Sequence, residues 1–409
     1  MIVSQFENRI CKDKNILVVL NENEENNSEL QNLIDNFCGT VINNFSEIQK
    51  ANNDIKIYGC GDFSITENVE TEFYIIQDLS TNYENRINEK IQLISLGEVP
   101  IIISNSGVYF RNLFSENDYF NKIKSEHEFQ HLTESNKESK AFRTGIYLTE
   151  VLKEIENNTE VLNFHLLRCS SNFTGPTDNF RATDHFIINK LNESVKFVFE
   201  KGTKLNHVLA QIYENTKKSE DSGKEIKAKI KAHSDKTKDM PKEGLIAFCT
   251  FYDRTEFTDL KPSKTDKFDL CYKQITGLTK LHFKLKNTVN DESLEKEFSV
   301  TLYPNSAFLI PLSTNRLYTH EIRPSMLNVE RIPVRMGYVV RCSNVEAKYM
   351  NNETFIKENG SLIKLEPMTL NSIENLRTSY VEENKTENVV EYGKVHFSMN
   401  LGDYEKPIY

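Results

Sequence analysis

Val208-Leu209-Ala210-Gln211-Ile212-Tyr213 is the first of six short apolar runs that fill the second half of this 409-residue chain. The others are Leu245 to Tyr252, Leu278 to Leu285, Phe298 to Tyr303, Ala307 to Leu312 and Val334 to Arg341. Each has the length and the β-branched and aromatic content of a strand, and polar loops separate them. The spacing therefore predicts a sandwich or jelly roll rather than a parallel α/β sheet.

Upstream of these runs the texture is mixed. A helix is expected from a cap at Thr183 or Asp184 to about Phe199, long enough to brace a sheet, and another over Glu116 to His131 after the acidic turn Ser115 to Asp118. The first hundred residues alternate the apolar runs Ile16 to Leu20, Ile55 to Tyr58 and Phe73 to Ile76 with a helix-like segment, Ser28 to Phe37. The chain thus divides into a small α/β accessory domain over 1–105, a larger α+β domain over 106–345 and a polar C-terminal extension over 346–409, with one further strand near Val395 to Met399.

Composition narrows the function classes. A net charge of −10 argues against wrapping a nucleic acid over the whole surface, although a local basic site stays open. Seven cysteines without a CxxC pair suggest reduced thiols, neither a disulfide framework nor a zinc ribbon. No run approaches the roughly 18 apolar residues of a membrane helix. The N-terminus lacks the apolar core of a secretory signal, so a cytoplasmic protein without membrane contact is expected.

Two histidine patterns compete for the chemistry. His127-Glu128-Phe129-Gln130-His131 fits HExxH, in which two histidines one helical turn apart bind zinc and the glutamate activates water. Its polar flanks suit a solvated helix face better than a buried metal helix, and a zinc metallohydrolase using these residues is the weaker alternative. His233-Ser234-Asp235 has a spacing that chance alone supplies about once in such a chain. On an extended segment residues i and i+2 point to one side, so its imidazole and carboxylate can share one ion. A third ligand from another strand would complete a two-histidine, one-carboxylate facial triad on non-haem Fe(II), and His320, after the run Ala307 to Leu312, is the natural candidate. In the run Arg335 to Arg341 the two arginines and Gly337 share a strand face. They are either surface arginines or an inward pair that requires an anion, such as a dicarboxylate.

Taken in order, Leu205-Asn206-His207-Val208-Leu209-Ala210-Gln211-Ile212-Tyr213, His233-Ser234-Asp235, Asn305-Ser306-Ala307-Phe308-Leu309 leading to His320, and Arg335 to Arg341 resemble the signature of AlkB-like Fe(II)/2-oxoglutarate-dependent dioxygenases. The resemblance covers roughly residues 106–345. It implies a double-stranded β-helix (jelly-roll) core, with His233, Asp235 and His320 as iron ligands. Arg335 would hold the distal carboxylate of 2-oxoglutarate, Arg341 would lie by its metal-chelating end, and Tyr213 would hydrogen-bond the co-substrate. Three departures stand out. Gln211 replaces the family's usual asparagine, the Tyr213-to-His233 interval is long enough for an inserted loop over Glu214 to Lys224, and Arg331 competes with Arg335 for the carboxylate. The implied reaction consumes dioxygen and 2-oxoglutarate and hydroxylates a C–H bond, which on a methylated nucleobase would be oxidative demethylation. Hydroxylation of a protein side chain or small molecule is the alternative.

Charge bears on that choice. Between Thr216 and Lys242 nine lysines face five acids, and strand parity sets Lys227, Lys229 and Lys231 on one face with His233 unless a bulge intervenes. Such lysines would either rim the site for a single-stranded nucleic acid or form a solvated hairpin.

Overall fold

Eight consecutive residues of the strand Leu245–Tyr252 are buried, which only a strand covered on both faces allows. In the computed structural model, which describes residues 7–20, 28–48, 55–64, 72–84, 89–114, 118–131, 143–169, 174–217, 225–253 and 259–409, this strand lies inside a large sheet. The order is Asp178–Asn179, Arg143–Thr149, His207–Tyr213, Arg335–Arg341, Leu245–Tyr252, Ser306–Pro311, Gly107–Phe110, Ile101–Ile103, with Gln130–His131 beside Arg143–Thr149. Pairing is antiparallel except at Asp178–Asn179.

A second sheet, ordered Ile230–His233, Tyr318–Ile322, Lys280–Leu285, Glu297–Thr301, covers one face of the first. In Lys280–Leu285 and Glu297–Thr301 Leu281, Phe283, Phe298 and Val300 are buried, while Lys280, Glu297 and Ser299 are exposed. Phe283 meets Phe248 and Phe308 of the large sheet edge to face, so the two sheets share one core. This is a mostly β architecture of two packed sheets, compatible with a jelly roll.

The opposite face of the large sheet is braced by the helix Ala182–Val198, which buries Ile187, Ile188, Leu191 and Val195. The helix begins one residue before the expected Thr183 or Asp184 cap. Asp184 instead sits in its first turn and accepts the backbone N–H of Arg181 at 2.8 Å. Alternation along Arg335–Arg341 then sorts the strand. Tyr338 donates its hydroxyl to Asp184 at 2.7 Å on the helix side, while Arg335, Gly337, Val339 and Arg341 line a cavity facing the second sheet.

Residues near the N-terminus form a parallel sheet in the order Thr40–Ile42, Asn15–Leu20, Lys56–Asp62, Phe73–Thr81, Ile91–Ile94, with the helix Ser28–Asn36. Its strand Asn15–Leu20 contributes Leu17 and Val19 to the main core and Val18 and Leu20 to a separate cluster. The strand Ile101–Ile103 pairs within the large sheet.

Beyond residue 345 the chain is more regular than its composition suggests. Val345–Met350, Glu353–Glu358 and Ser361–Lys364 join Leu152–Glu156 and Thr159–Leu166 in a five-stranded antiparallel sheet. Three of its hairpins turn on Asn157-Asn158, Asn351-Asn352 and Asn359-Gly360, all at positive φ, the backbone that type I′ turns require. The helix Leu370–Lys385 follows. The expected strand at Val395 to Met399 is irregular coil, held by packing of Phe397 on Leu376 and Tyr380. The helix expected over Glu116 to His131 is only Tyr119–Glu126, with residues 115–117 of its acidic turn outside the described residues.

Candidate active site

His233 ends the strand Ile230–His233 and pairs directly across from His320 on Tyr318–Ile322, with their ring centroids 4.4 Å apart. Asp235 follows two residues on. Its Oδ1 lies 3.6 Å from His233 Nε2 and 3.9 Å from His320 Nε2, and the three ligand atoms all fall within 4.8 Å of one another. His233 Nδ1 lies 2.9 Å from the Lys231 carbonyl, which can only accept, so Nδ1 is the donor and Nε2 is the nitrogen turned to the cluster.

The loop carrying Asp235 is pinned from several directions. Asn315 accepts the Asp235 N–H at 2.8 Å and donates to its carbonyl at 2.9 Å. The Ser234 hydroxyl donates to the Tyr318 carbonyl at 3.1 Å, and the Ser234 N–H donates to Asn384 of the C-terminal helix at 2.7 Å.

Electrostatics favour the ligand-competent forms. Burial raises the Asp235 carboxyl, but the Arg341 guanidinium, aided by His233 and His320, outweighs it and holds the group well below the usual carboxylate range. Burial first, then the charges of His233 and Arg341, push His320 down to about 3 against the pull of Asp235, so its ring is neutral at pH 7. His320 Nδ1 is buried without a partner among the described residues.

A cavity of about 240 Å³ runs from this cluster along the face of the large sheet. Arg335 stands at its other end, one of the buried charged side chains, with its guanidinium 4.5 Å over the Tyr213 ring. No acidic side chain among the described residues reaches ion-pair distance of it. The Tyr213 hydroxyl donates to Gln211 at 2.7 Å. Register sets Gly337 between Gln211 and Thr250. A Cβ at Gly337 would come within 2.9 Å of Arg335 Nη1, so glycine keeps the floor open. Thr250 Oγ1 and Arg341 Nη1, on the same wall, are buried and unpartnered among the described residues. Buried polar groups of this kind normally have partners. Two imidazoles, an ionised carboxylate, an unpaired guanidinium and these orphaned donors fit a divalent metal with a chelating dicarboxylate.

Other expectations need correction. Arg331 does not line the cavity: it pairs with Asp259 at 3.2 Å and covers Tyr272 at 4.3 Å. The HExxH segment is not helical, because the helix stops at Glu126 and His131 lies exposed on a two-residue strand. His127 is buried rather than solvated. Its Nδ1 meets Asp178 at 2.7 Å and its Nε2 meets Asp184 at 2.8 Å. Glu126 joins the same cluster, yet both ring nitrogens are already spent on carboxylates. This geometry does not support the zinc hydrolase.

The lysine parity also fails, since the pairing register shifts between Ile230 and His233. Ile230 and His233 both line the cavity, while Lys229, Lys231 and Ala232 are exposed. Lys227 donates to the Ser325 carbonyl at 3.1 Å and pairs with Glu225 at 3.2 Å. Lys218, Lys224 and most of the expected Glu214 to Lys224 insertion lie outside the described residues. Sequence reasoning missed Thr250, Asn315 and Asn384, which carry no motif of their own.

No family model and no curated protein matches this chain. Among solved structures, a selenomethionine-labelled Fe(II)/(alpha)ketoglutarate-dependent dioxygenase, TqaL, aligns with a TM-score of 0.25 and 6% identity, covering 62% of this chain and 79% of that one.

Proposed function

We propose that this chain is an Fe(II)- and 2-oxoglutarate-dependent dioxygenase. The observation that carries the reading is the convergence of His233, Asp235 and His320 on the same cavity as the unpaired guanidinium of Arg335. Fe(II) held by those three residues would supply, with 2-oxoglutarate and dioxygen, the oxidising power that couples decarboxylation to succinate and carbon dioxide with hydroxylation of a substrate C–H bond.

The chain's own residues supply the rest. His233 and His320 offer Nε2 lone pairs and Asp235 offers Oδ1. Arg335 takes the distal carboxylate of the co-substrate through charge-assisted hydrogen bonds, and the Thr250 hydroxyl is placed to donate to the same group. Gly337 leaves room for the carbon chain, Tyr213 supports the Arg335 plane, and Arg341 Nη1 is free for the carboxylate at the metal-chelating end. Phe248, Leu281 and Ile322 wall the cavity with apolar surface that excludes water.

Two features support an anionic substrate, with a methylated nucleobase in a single strand as the specific reading. Lys229 and Lys231 are exposed beside His233. An outer cleft of about 530 Å³ shares Tyr213 and Arg335 with the cavity and is also lined by Lys280, His282 and Arg323, of which Arg323 is paired with Glu321 at 2.7 Å; no acidic side chain is among the described residues that line it. The test is substrate-stimulated succinate formation across alkylated oligonucleotides, RNA and cell extract. Stimulation by an oligonucleotide supports the nucleobase reading, and stimulation by extract protein or metabolites alone moves the substrate to those classes.

A further inference from the structure

Lys56 and Tyr58 lie two residues apart on the strand Lys56–Asp62, so both project from the same face of the N-terminal parallel sheet. That face looks across a second cavity, also of about 240 Å³, to Lys190, Ser194 and Phe197 of the helix Ala182–Val198. The cavity is remote from the metal cluster and shares none of its lining residues.

Its chemistry is unbalanced in one direction. Lys56 Nζ sits 4.7 Å from the Phe197 ring centroid and 5.5 Å from that of Tyr74, with no acidic side chain at ion-pair distance among the described residues. Lys190 faces Glu98 at 3.5 Å, and Glu98 is the one acid among the described residues lining the space. Among the lining side chains two ammonium groups stand against one carboxylate, and Glu193, outside the lining, is paired with Lys196 at 2.6 Å. Burial first, then Lys190, pulls the Lys56 ammonium below the ordinary lysine range against the opposing pull of Glu193 and Glu98.

Tyr58 supplies an independent sign. It is 4% exposed, it lines the cavity, and its hydroxyl has no hydrogen-bond partner among the described residues. The Ser194 hydroxyl is already spent on the Lys190 carbonyl at 2.8 Å. The free donors are therefore the Lys56 ammonium and the Tyr58 phenol, on one strand face lining this cavity. A cation without a carboxylate partner and a hydroxyl without a hydrogen-bond partner can both be engaged by one acceptor carrying negative charge.

We propose that this cavity binds a small monoanion, a carboxylate or an inorganic oxyanion, between Lys56 Nζ and the Tyr58 hydroxyl. The site is independent of the dioxygenase reading. The experiment is calorimetric titration of the full chain carrying Arg335→Ala, which removes the other carboxylate-binding guanidinium, with acetate in one arm and inorganic phosphate in the other. The expected result is one saturable site per chain for at least one probe, and the tighter probe identifies the source. Lys56→Met, which keeps an unbranched chain between the two rings, should weaken binding about tenfold or more, as loss of a charged hydrogen bond does. Tyr58→Phe, which removes a single oxygen, should weaken it several-fold and serves if Lys56→Met does not fold. Absence of saturable binding of either probe overturns the proposal. So does unchanged affinity in Tyr58→Phe or in folded Lys56→Met.

Discussion

Both donors of Arg341 that reach Asp235 fall on one oxygen: Nε lies 2.9 Å and Nη2 2.7 Å from Oδ2. Oδ1 is thereby left facing the Nε2 atoms of His233 and His320. The pair is buried, so its value lies less in net stability than in fixing which oxygen is offered to a metal.

Removing one partner leaves the other charge buried and uncompensated. Arg341→Met should therefore destabilise the fold by roughly 3–5 kcal/mol. Adding Asp235→Asn to it should cost less than the sum of the single changes. Denaturant unfolding of the three variants measures this, and strict additivity would show that the pair does not act as a unit.

A second prediction separates the arginines. Arg335→Ala should raise the 2-oxoglutarate requirement by an amount equivalent to about 1.5–3 kcal/mol while sparing metal binding. Arg331→Ala should leave it unchanged, since Arg331 is occupied by Asp259 and Tyr272. Titration of each variant with 2-oxoglutarate decides between them; the reverse pattern moves the anchor to Arg331.

The buried His127 makes stability depend on pH. Burial lowers its pKa, but Asp178 and Asp184 overcome that and raise it to about 9 from the ordinary 6.5. A raised folded-state pKa means that the contribution is complete below about pH 6.5 and is lost as pH climbs through about 9. The size is on the order of 3 kcal/mol, at 1.36 kcal/mol for each pKa unit. Denaturant unfolding at pH 6.5, 7.5 and 9 should show the loss in the wild type and its absence in His127→Gln. Parallel pH profiles would contradict it.

Salt dependence tests the basic rim. Lys229 and Lys231 are exposed beside the cavity, whereas Lys227 is tied to Ser325 and Glu225. If the first two meet phosphates, replacing both with Gln should reduce the salt slope of single-stranded oligonucleotide binding by about 1.4, at roughly 0.7 per contact. Lys227→Gln should leave the slope unchanged. No salt-dependent binding at low ionic strength moves the substrate to a protein or small molecule.

The inner strands of the large sheet beside the site were legible because they are continuous apolar runs, whereas Ile230–His233 and Tyr318–Ile322, which carry the two histidines, are not. Leu245 to Tyr252 announces a doubly covered strand, and alternation in Arg335 to Arg341 sorts the inward arginines from Tyr338. The C-terminal sheet was missed because its strands are half exposed and short. Even so, Asn157-Asn158, Asn351-Asn352 and Asn359-Gly360 carried the turn chemistry that would have revealed it. The parity of Lys227 to His233 failed at a bulge, which no residue type in that segment marks. HExxH misled because helix propensity says nothing of where a chain leaves the helix. Here Asp178 and Asp184, both distant in sequence, draw His127 into an ion cluster instead. Asn315 and Asn384 hold the metal loop through backbone contacts that only tertiary structure reveals.

The central claim is that His233, Asp235 and His320 hold one ferrous ion beside a 2-oxoglutarate anchored at Arg335. Anaerobic addition of Fe(II) and 2-oxoglutarate to the full chain, followed by visible absorption, tests it most directly. The weak charge-transfer band of a metal-chelated keto acid should appear with one equivalent of Fe(II), vanish in His233→Ala and Asp235→Ala, and persist in a His127→Gln/His131→Gln double variant. Absence of the band in the wild type, or its retention in both His233→Ala and Asp235→Ala, would contradict the account.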